Sequence, residues 1–116
     1  MREAISVTKL NRYIKDMFAQ NPMLYNVMVK GEISNFKESH GNFYFSLKDE
    51  GSSIQAIIFA SSAYNVNISK IRDGMSVIVT GRVAAYDKAG TYAIYVNKLE
   101  ENIATLTVER SYEALN

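Results

Sequence analysis

The residues of this chain that could do chemistry stand on one alternating stretch, Asn42–Asp49, which reads NFYFSLKD. Alternation with period 2 is typical of a strand with one buried face, and three apolar side chains, beginning with Phe43, share that face. The other face carries Tyr44 and Lys48, although a solvent-facing surface does not need a tyrosine beside a lysine. Rings stack on unpaired bases and cations attract phosphates, so this pattern indicates contact with a single-stranded nucleic acid.

Polar and aromatic side chains of the neighbouring predicted strands extend this candidate surface. The predicted nucleic-acid-binding residues are Lys30, Ser34, Asn35, Phe36, Tyr44, Ser46, Lys48, Gln55 and, at the other rim, Arg82. Phe36, beside a glycine-containing loop, is a better stacking candidate than Phe59. The alternative is that Tyr44 and Phe59 only pack under the N-terminal helix or a loop, as buried aromatic side chains usually do. For Arg82 and Lys88, a solvated surface charge is the more common explanation.

No set of residues in the chain suggests catalysis or a bound cofactor. His40 is the only histidine and there are no cysteines, whereas a metal site needs several ligands held together. Asp49, Glu50 and Asp73 each lie close to a glycine, where acidic residues are ordinary turn chemistry. The sequence has no phosphate-cradling glycine loop and no Ser-His-Asp set. We therefore expect no catalytic residue, no metal and no cofactor in this chain.

Length and composition indicate one small globular domain. The 116 residues are 47% hydrophobic and 22% charged, which is enough apolar material for a core without cross-links. The net charge of +1 argues against strong nucleic-acid binding, because strong binders are usually basic. The absence of cysteine is compatible with a reducing cytoplasm. No apolar run suits a membrane span or a signal peptide, so we expect a cytoplasmic protein without a membrane partner.

The N-terminal part of the chain predicts one amphipathic helix. An apolar stripe at helical spacing is formed by Leu10, Tyr13, Ile14, Met17 and Phe18. We predict that the helix begins at an N-cap Thr8 and continues to about Gln20, before Asn21-Pro22 stops it. Its apolar stripe should pack over one end of a barrel.

Stretches rich in β-branched and aromatic residues predict five strands after this helix. They lie at 25–36, 42–49, 54–59, around 77–83 and at 91–99. The polar run 37–41 is predicted to be a loop, and 61–73 a mixed connection with a short helical turn. Gly31 and Gly81 lie within strands and mark bends of a tightly curled barrel.

The order of these elements predicts the fold. Five strands with a connection between the third and the fourth form the OB-fold pattern, a Greek-key barrel, and an SH3-like barrel is the chief alternative. We therefore predict a mainly β protein, a five-stranded OB-fold barrel preceded by an N-terminal helix. The domains would be a helix at 1–22, the barrel at 23–103, and at 104–116 a tail or the start of a linker to a missing catalytic domain.

Several motifs occur together in a characteristic order. They are Val7–Ile14, Val29–Phe36 (VKGEISNF), Gly41–Asp49 (GNFYFSLKD), Asp73–Met75, Val79–Val83 and Gly90–Tyr92. Together, over about residues 5–103, they closely resemble the N-terminal domain of the large subunit of bacterial exodeoxyribonuclease VII. The shorter Phe-x-Leu-Lys-Asp core also resembles OB domains that bind anticodons.

This resemblance implies a role within a larger enzyme. The full-length protein would degrade single-stranded DNA from either end to short oligonucleotides, in complex with several copies of a small helical subunit. The barrel would engage the single-stranded DNA, with Tyr44 stacked on a base and Lys48 on the same face. The nuclease centre would belong to a later domain that is missing from this chain.

Two other functions remain open from the residues alone. The barrel could be a protein-docking module whose apolar patch contains Phe36, Tyr44 and Phe59. An enzyme in its own right is poorly supported, because no acid/base or metal set appears. Barrel edges can also pair between chains, so a homodimer of this chain is a further expectation.

Overall fold

The computed structural model describes residues 2–102 of the chain. A helix, α1, spans Val7–Ala19, and a short 3₁₀ turn follows at Pro22–Leu24. The strands are β1 (Val27–Ser39), β2 (Asn42–Lys48), β3 (Ser53–Ile58), β4 (Ser76–Tyr86) and β5 (Thr91–Glu101). Among these residues, no helix has the length and apolar character needed to cross a bilayer. The predicted tail or linker at 104–116 lies outside the described residues.

The five strands close into a barrel in the order β1-β2-β3-β5-β4. Neighbouring strands are antiparallel except β3 and β5, which run parallel because the chain crosses over between β3 and β4. The crossover contains two single 3₁₀ turns, Ala63–Asn65 and Ile68–Lys70, where the sequence predicted a short helical turn. This topology confirms the predicted OB-fold barrel with its N-terminal helix and sets aside the SH3-like alternative.

The barrel interior is filled by one face of each strand. The largest fully buried side chains are those of Phe45, Ile33, Ile58, Ile94, Val77 and Val79. Phe45 and its partly buried neighbour Phe43 belong to the face of β2 that the alternation predicted to be the core. Since successive side chains of a strand point to opposite faces, the interior fixes Tyr44 on the outside of the barrel.

Two glycines allow the strands to approach closely, at the positions where the sequence predicted bends. A Cβ atom on Gly31 would lie 2.8 Å from Leu47 Cγ and 2.9 Å from the Lys48 carbonyl oxygen. A Cβ atom on Gly81 would collide with the backbone of Tyr95. The register between β4 and β5 shifts between Thr80 and Gly81, so this glycine stands at a bulge that curls the barrel.

The connection between β1 and β2 differs from the prediction. Residues 37–41 were expected to form a loop, but β1 continues to Ser39 and the turn is only His40–Gly41. Both turn residues have positive φ, 53° and 81°, as the tightest hairpin turns require. The strand can extend because a bulge at Asn35, with φ 55°, shifts the register between Ser34 and Lys37.

Helix α1 begins two residues earlier than predicted. Ser6 is the N-cap and its hydroxyl oxygen accepts the backbone N–H of Lys9 at 3.0 Å, so the predicted N-cap Thr8 is wrong. Ser and Thr are both common N-cap residues, and the extended backbone of residue 6, at φ −74° and ψ 158°, identifies Ser6 as the cap here.

Helix α1 packs against the hairpin that joins β4 to β5. Asn11 Nδ2 donates to the carbonyl oxygen of Asp87 at 2.9 Å, and Lys15 Nζ lies 3.6 Å from the Asp87 carboxylate. Phe18 makes an edge-to-face contact with Tyr92 at 5.9 Å between ring centroids. These contacts use Phe18 of the predicted apolar stripe and the polar residues Asn11 and Lys15 beside it. Leu10, Tyr13 and Met17 of that stripe remain exposed.

Candidate nucleic-acid interface

The outward side chain of Tyr44 lies in a row that crosses all five strands. Lys37 of β1 pairs with Tyr44 of β2, which pairs with Ile57 of β3. Ile57 pairs with Tyr95 of β5, and Tyr95 pairs with Arg82 of β4. A cation therefore stands at each end of a row that contains two tyrosines. Two strand spacings of ~4.8 Å place the tyrosine backbones about 10 Å apart.

A second group of aromatic contacts extends this row. The Phe59 ring meets the Tyr95 ring edge to face, with centroids 5.2 Å apart and planes inclined by 70°. The guanidinium carbon of Arg82 lies 5.1 Å from the centroid of the Tyr95 ring, within the range of a cation–π contact. We call the outward surface formed by Tyr44, Ile57, Phe59 and Tyr95 the aromatic face.

An open cavity of about 560 Å³ lies on the aromatic face and is called the aromatic cavity here. Outward-facing Ala84 and Ala93 pair across β4 and β5 and are only 9% exposed, because larger side chains surround them. The walls include Tyr44, Tyr86 and Tyr95. Small residues between tall rings make a depression of the size and apolar character that binds flat organic groups.

A second open cavity, of about 570 Å³, lies on the other side of Tyr44. It lies beside the β1 bulge and is called the bulge cavity. Its lining residues are Asn35, Phe36, Lys37, Tyr44, Phe45, Ser46, Gln55 and Asp73. Tyr44 and Gln55 line both cavities, so the predicted stacking residue stands where the two meet.

Several predicted binding residues lie together around Tyr44. Ser34, Ser46 and Gln55 are cross-strand neighbours on β1, β2 and β3. Gln55 Nε2 donates to Ser46 Oγ at 2.9 Å, which fixes the amide on the outer surface. Asn35 is exposed at the bulge and lines the bulge cavity.

The predicted basic residues do not all lie close to Tyr44. Arg82 lies over Tyr95 on the aromatic face, whereas Lys48 lies at the end of β2 opposite Ser53. Lys30 pairs with Ile78 of β4, on a part of the barrel surface away from the tyrosine row. Lys37, which was assigned to a loop and not to the site, is the direct neighbour of Tyr44.

Phe36 and Phe59 differ from the sequence prediction, which preferred Phe36 to Phe59 as a stacking residue. The Phe36 ring stacks on Phe43 at 5.9 Å with planes inclined by 13°, and it lies 6.2 Å from Phe45. It is partly buried against the core, so only part of this ring is available in the bulge cavity. Phe59 is 39% exposed and lines the aromatic cavity. The bulge turns Phe36 inward by changing the strand alternation after Ser34.

Sequence reasoning missed Tyr95, Tyr86 and Lys37 as members of the surface. The signal for Tyr95 was present, because it lies opposite the buried Ile94 and Val96 on an alternating strand, as Tyr44 does on β2. No local pattern in the sequence placed β5 beside β3, since that pairing depends on the crossover.

The acidic residues near the turns have structural partners. Asp49 Oδ1 accepts the backbone N–H groups of Gly51 and Ser52 at 2.9 and 3.0 Å. Asp73 Oδ1 accepts the backbone N–H of Phe36 at 2.9 Å and so holds the β1 bulge. Among residues 2–102, no group of three or more potential ligands is placed to hold a metal ion.

Curated relatives agree with the resemblance found in the sequence. The chain is 43% identical to an exodeoxyribonuclease 7 large subunit of Clostridioides difficile, covering 97% of this chain and 29% of the relative. It is 45% identical to the corresponding protein of Natranaerobius thermophilus, covering 82% of this chain and 22% of the relative. The chain thus spans between a fifth and a third of the length of these relatives, and the resemblance to the large subunit is confirmed.

Solved structures with the same fold share little sequence with this chain. The Stn1–Ten1 complex of S. pombe matches with a TM-score of 0.61 at 12% identity, over 77% of this chain and 66% of the matched one. A replication protein A heterotrimer bound to single-stranded DNA matches with a TM-score of 0.58 at 16% identity, over 75% and 66%. These matches support the fold. The model of the OB-fold nucleic acid binding domain family matches residues 5–100, and the chain belongs to this family.

Proposed function

We propose that this domain binds single-stranded DNA across the aromatic face. The observation that carries the proposal is the cross-strand row in which Tyr44 and Tyr95 stand between Lys37 and Arg82. Aromatic rings stack on bases of any sequence, and each stacked base contributes about 1–3 kcal/mol. The two cations at the ends of the row are placed to meet phosphates.

The shape of the surface favours a single strand over a duplex. Tyr44 and Tyr95 line a cavity whose floor is Ala84 and Ala93, and a base must leave its stack to enter such a depression. Strands β2 and β3, together with the β1–β2 and β4–β5 turns, form the surface on which OB-folds bind oligonucleotides. The structural neighbour replication protein A has this fold and was solved bound to single-stranded DNA.

The binding should be weak and sensitive to salt. The chain has a net charge of only +1, and few cations flank the aromatic face. Stacking therefore carries much of the affinity, while the few phosphate contacts make it fall with salt.

The relatives suggest the larger context of this binding. They are large subunits of exodeoxyribonuclease 7, and this chain corresponds to less than a third of their length. We propose that the domain holds single-stranded DNA for an exonuclease whose catalytic residues and small-subunit contacts lie in other parts of the polypeptide.

Fluorescence anisotropy with a labelled oligothymidine tests the proposal. Tyr44→Ala should weaken binding about tenfold, because it removes one stacking ring. Tyr64→Ala is the matched control, since Tyr64 is 83% exposed in the β3–β4 connection and lies on neither cavity. Both variants should retain the thermal unfolding temperature of the parent, and a duplex of the same length should bind more weakly.

Three results would contradict the proposal. Equal losses in Tyr44→Ala and Tyr64→Ala would remove the binding from the aromatic face. Tighter binding of the duplex would indicate recognition of the backbone alone. Undetectable binding at high protein concentration would favour the protein-docking alternative, in which the exposed rings contact a protein partner.

A further inference from the structure

We propose that the bulge cavity distinguishes bases, preferring those with an exocyclic amino group to thymine. This inference rests on the proposed binding of single-stranded DNA and adds a specificity to it. Cytosine, adenine and guanine carry exocyclic amino groups, at N4, N6 and N2, that each donate two hydrogen bonds, whereas thymine has two carbonyl oxygens and a single ring N–H donor. Two acceptors that line the cavity, on Gln55 and Asp73, favour the donor.

The first hydrogen-bond acceptor is the side-chain carbonyl of Gln55. Its Nε2 donates to Ser46 Oγ at 2.9 Å, and the carbonyl oxygen Oε1 takes no part in that bond. An amide carries two donors and a carbonyl oxygen with two lone pairs. No residue of the described range 2–102 donates to Oε1, so this oxygen is free to accept from a base that occupies the cavity.

The second acceptor is the carboxylate of Asp73. Oδ1 accepts the backbone N–H of Phe36 at 2.9 Å, which fixes the carboxylate at the edge of the bulge and leaves Oδ2 available. Lys15–Asp87 is the only salt bridge within the described residues, so no cation of that range is paired with Asp73. A carboxylate without a paired cation repels phosphate, but it attracts the amino group of a base.

Tyr44 places the base against these two acceptors. The cavity holds about 570 Å³, within the range of small-ligand sites, and Tyr44 forms one of its walls. A base stacked on this ring would present its hydrogen-bonding edge within the same cavity as Gln55 and Asp73. Lys37, the cross-strand neighbour of Tyr44, lines the cavity as well and supplies a positive charge for the adjoining phosphate.

The two carboxylate oxygens of Asp73 allow its proposed contact with a base to be tested separately from its structural contact with the bulge. Asp73 stabilises the bulge through Oδ1 alone, and an asparagine at this position keeps a side-chain oxygen that accepts the Phe36 N–H. Asp73→Asn therefore preserves the bulge contact, removes the charge and replaces the available Oδ2 with an amide NH2. This amide NH2 donates hydrogen bonds, so it suits the carbonyl oxygens of thymine.

The test compares labelled dC12 and dT12 with the parent chain and Asp73→Asn by anisotropy at pH 7.5 and fixed salt. We expect the parent to bind dC12 about fivefold more tightly than dT12, a value below that of an ideal bidentate contact. Asp73→Asn should abolish or invert this preference by weakening dC12 and strengthening dT12. Gln55→Leu, which removes the other acceptor, should reduce the preference.

Asp16→Asn is the matched control. It makes the same change of charge on an exposed position of α1, and it should strengthen the binding of both oligonucleotides slightly and equally. Equal binding of dC12 and dT12 by the parent would overturn the base preference and leave single-strand binding intact. A preference that survives in Asp73→Asn would overturn its assignment to this cavity. No binding of either oligonucleotide would overturn the proposed function itself.

Discussion

Two outward faces of the barrel carry different side chains, and we compare the aromatic face with the opposite face, formed by β1 and β4. On the aromatic face, Tyr44 and Tyr95 stand on β2 and β5 with a cavity between them. On the opposite face, Met28 of β1 pairs with Thr80 of β4, and Lys30 pairs with Ile78. Both faces are antiparallel or mixed sheet with alternating burial, but these four positions of the opposite face carry no ring.

The difference shows that the two faces share their strand geometry, and that the sizes of the outward side chains decide which face has a depression able to bind a base. On the aromatic face, tall rings surround the small residues Ala84 and Ala93, so the surface has depth. On the opposite face, outward chains of similar length leave no aromatic platform for a base. The contrast predicts that substitutions at equally exposed positions will have unequal effects on DNA binding.

The largest expected effect comes from removing both tyrosines of the aromatic face. The double variant Tyr44→Ala/Tyr95→Ala should weaken binding of oligothymidine at least about a hundredfold, because two stacked bases lose their rings. Met28→Ala is the comparison on the opposite face, where Met28 is 67% exposed, and it should leave the affinity unchanged. Anisotropy titrations measure both. A similar loss in Met28→Ala would remove the distinction between the faces.

A larger residue at position 81 should lower stability, because Gly81 of β4 lies at the bulge between β4 and β5, behind the aromatic face. A Cβ atom there would lie 2.9 Å from the Tyr95 carbonyl carbon and 3.0 Å from Val96 Cα. Gly81→Ala should therefore lower the free energy of unfolding by about 2 kcal/mol or more, as overpacking does. Gly51→Ala, where the nearest atom is 4.0 Å away, should change it little. Urea denaturation followed by circular dichroism provides both values, and equal stability would contradict the close approach.

The two lysines of β1 provide a comparison within one strand. Lys37 adjoins Tyr44, whereas Lys30 pairs with Ile78 of β4, seven residues earlier along β1. Lys37→Ala should weaken binding about threefold and reduce the slope of log affinity against log salt by up to about one unit. Lys30→Ala should change both quantities less. A larger effect of Lys30→Ala, in titrations at three salt concentrations, would place the DNA backbone on the other side of the barrel.

The smallest expected effect concerns the contact between α1 and the β4–β5 hairpin, which carries Tyr86 to the aromatic cavity. Asn11→Ala removes the hydrogen bond to the Asp87 carbonyl oxygen and should cost about 1 kcal/mol of stability. Arg12→Ala, at an exposed neighbouring position, is the control and should cost little. Thermal unfolding compares the two, and an unchanged midpoint for Asn11→Ala would show that this bond contributes nothing.

Local patterns predicted most of the fold because they depend on neighbours along the chain. The alternation in β2 fixed which residues are buried, and the positions of Gly31 and Gly81 indicated where strands approach. Predictions failed where two local solutions compete. Ser6 and Thr8 are both residue types that cap helices. The polar residues 37–41 resemble a loop, although most of them extend a hairpin.

The candidate site was only partly predictable, because it joins residues from all five strands. The sequence by itself determined that Tyr44 and Lys48 face outward, since strand alternation with a buried partner face leaves no other direction. The tertiary structure alone decided that Tyr95 and Arg82 join Tyr44, because the crossover after β3 places β5 beside it. It also decided that Phe36 turns inward and that Asp73 meets the bulge cavity, since both depend on a register shift between strands and on contacts with a distant loop.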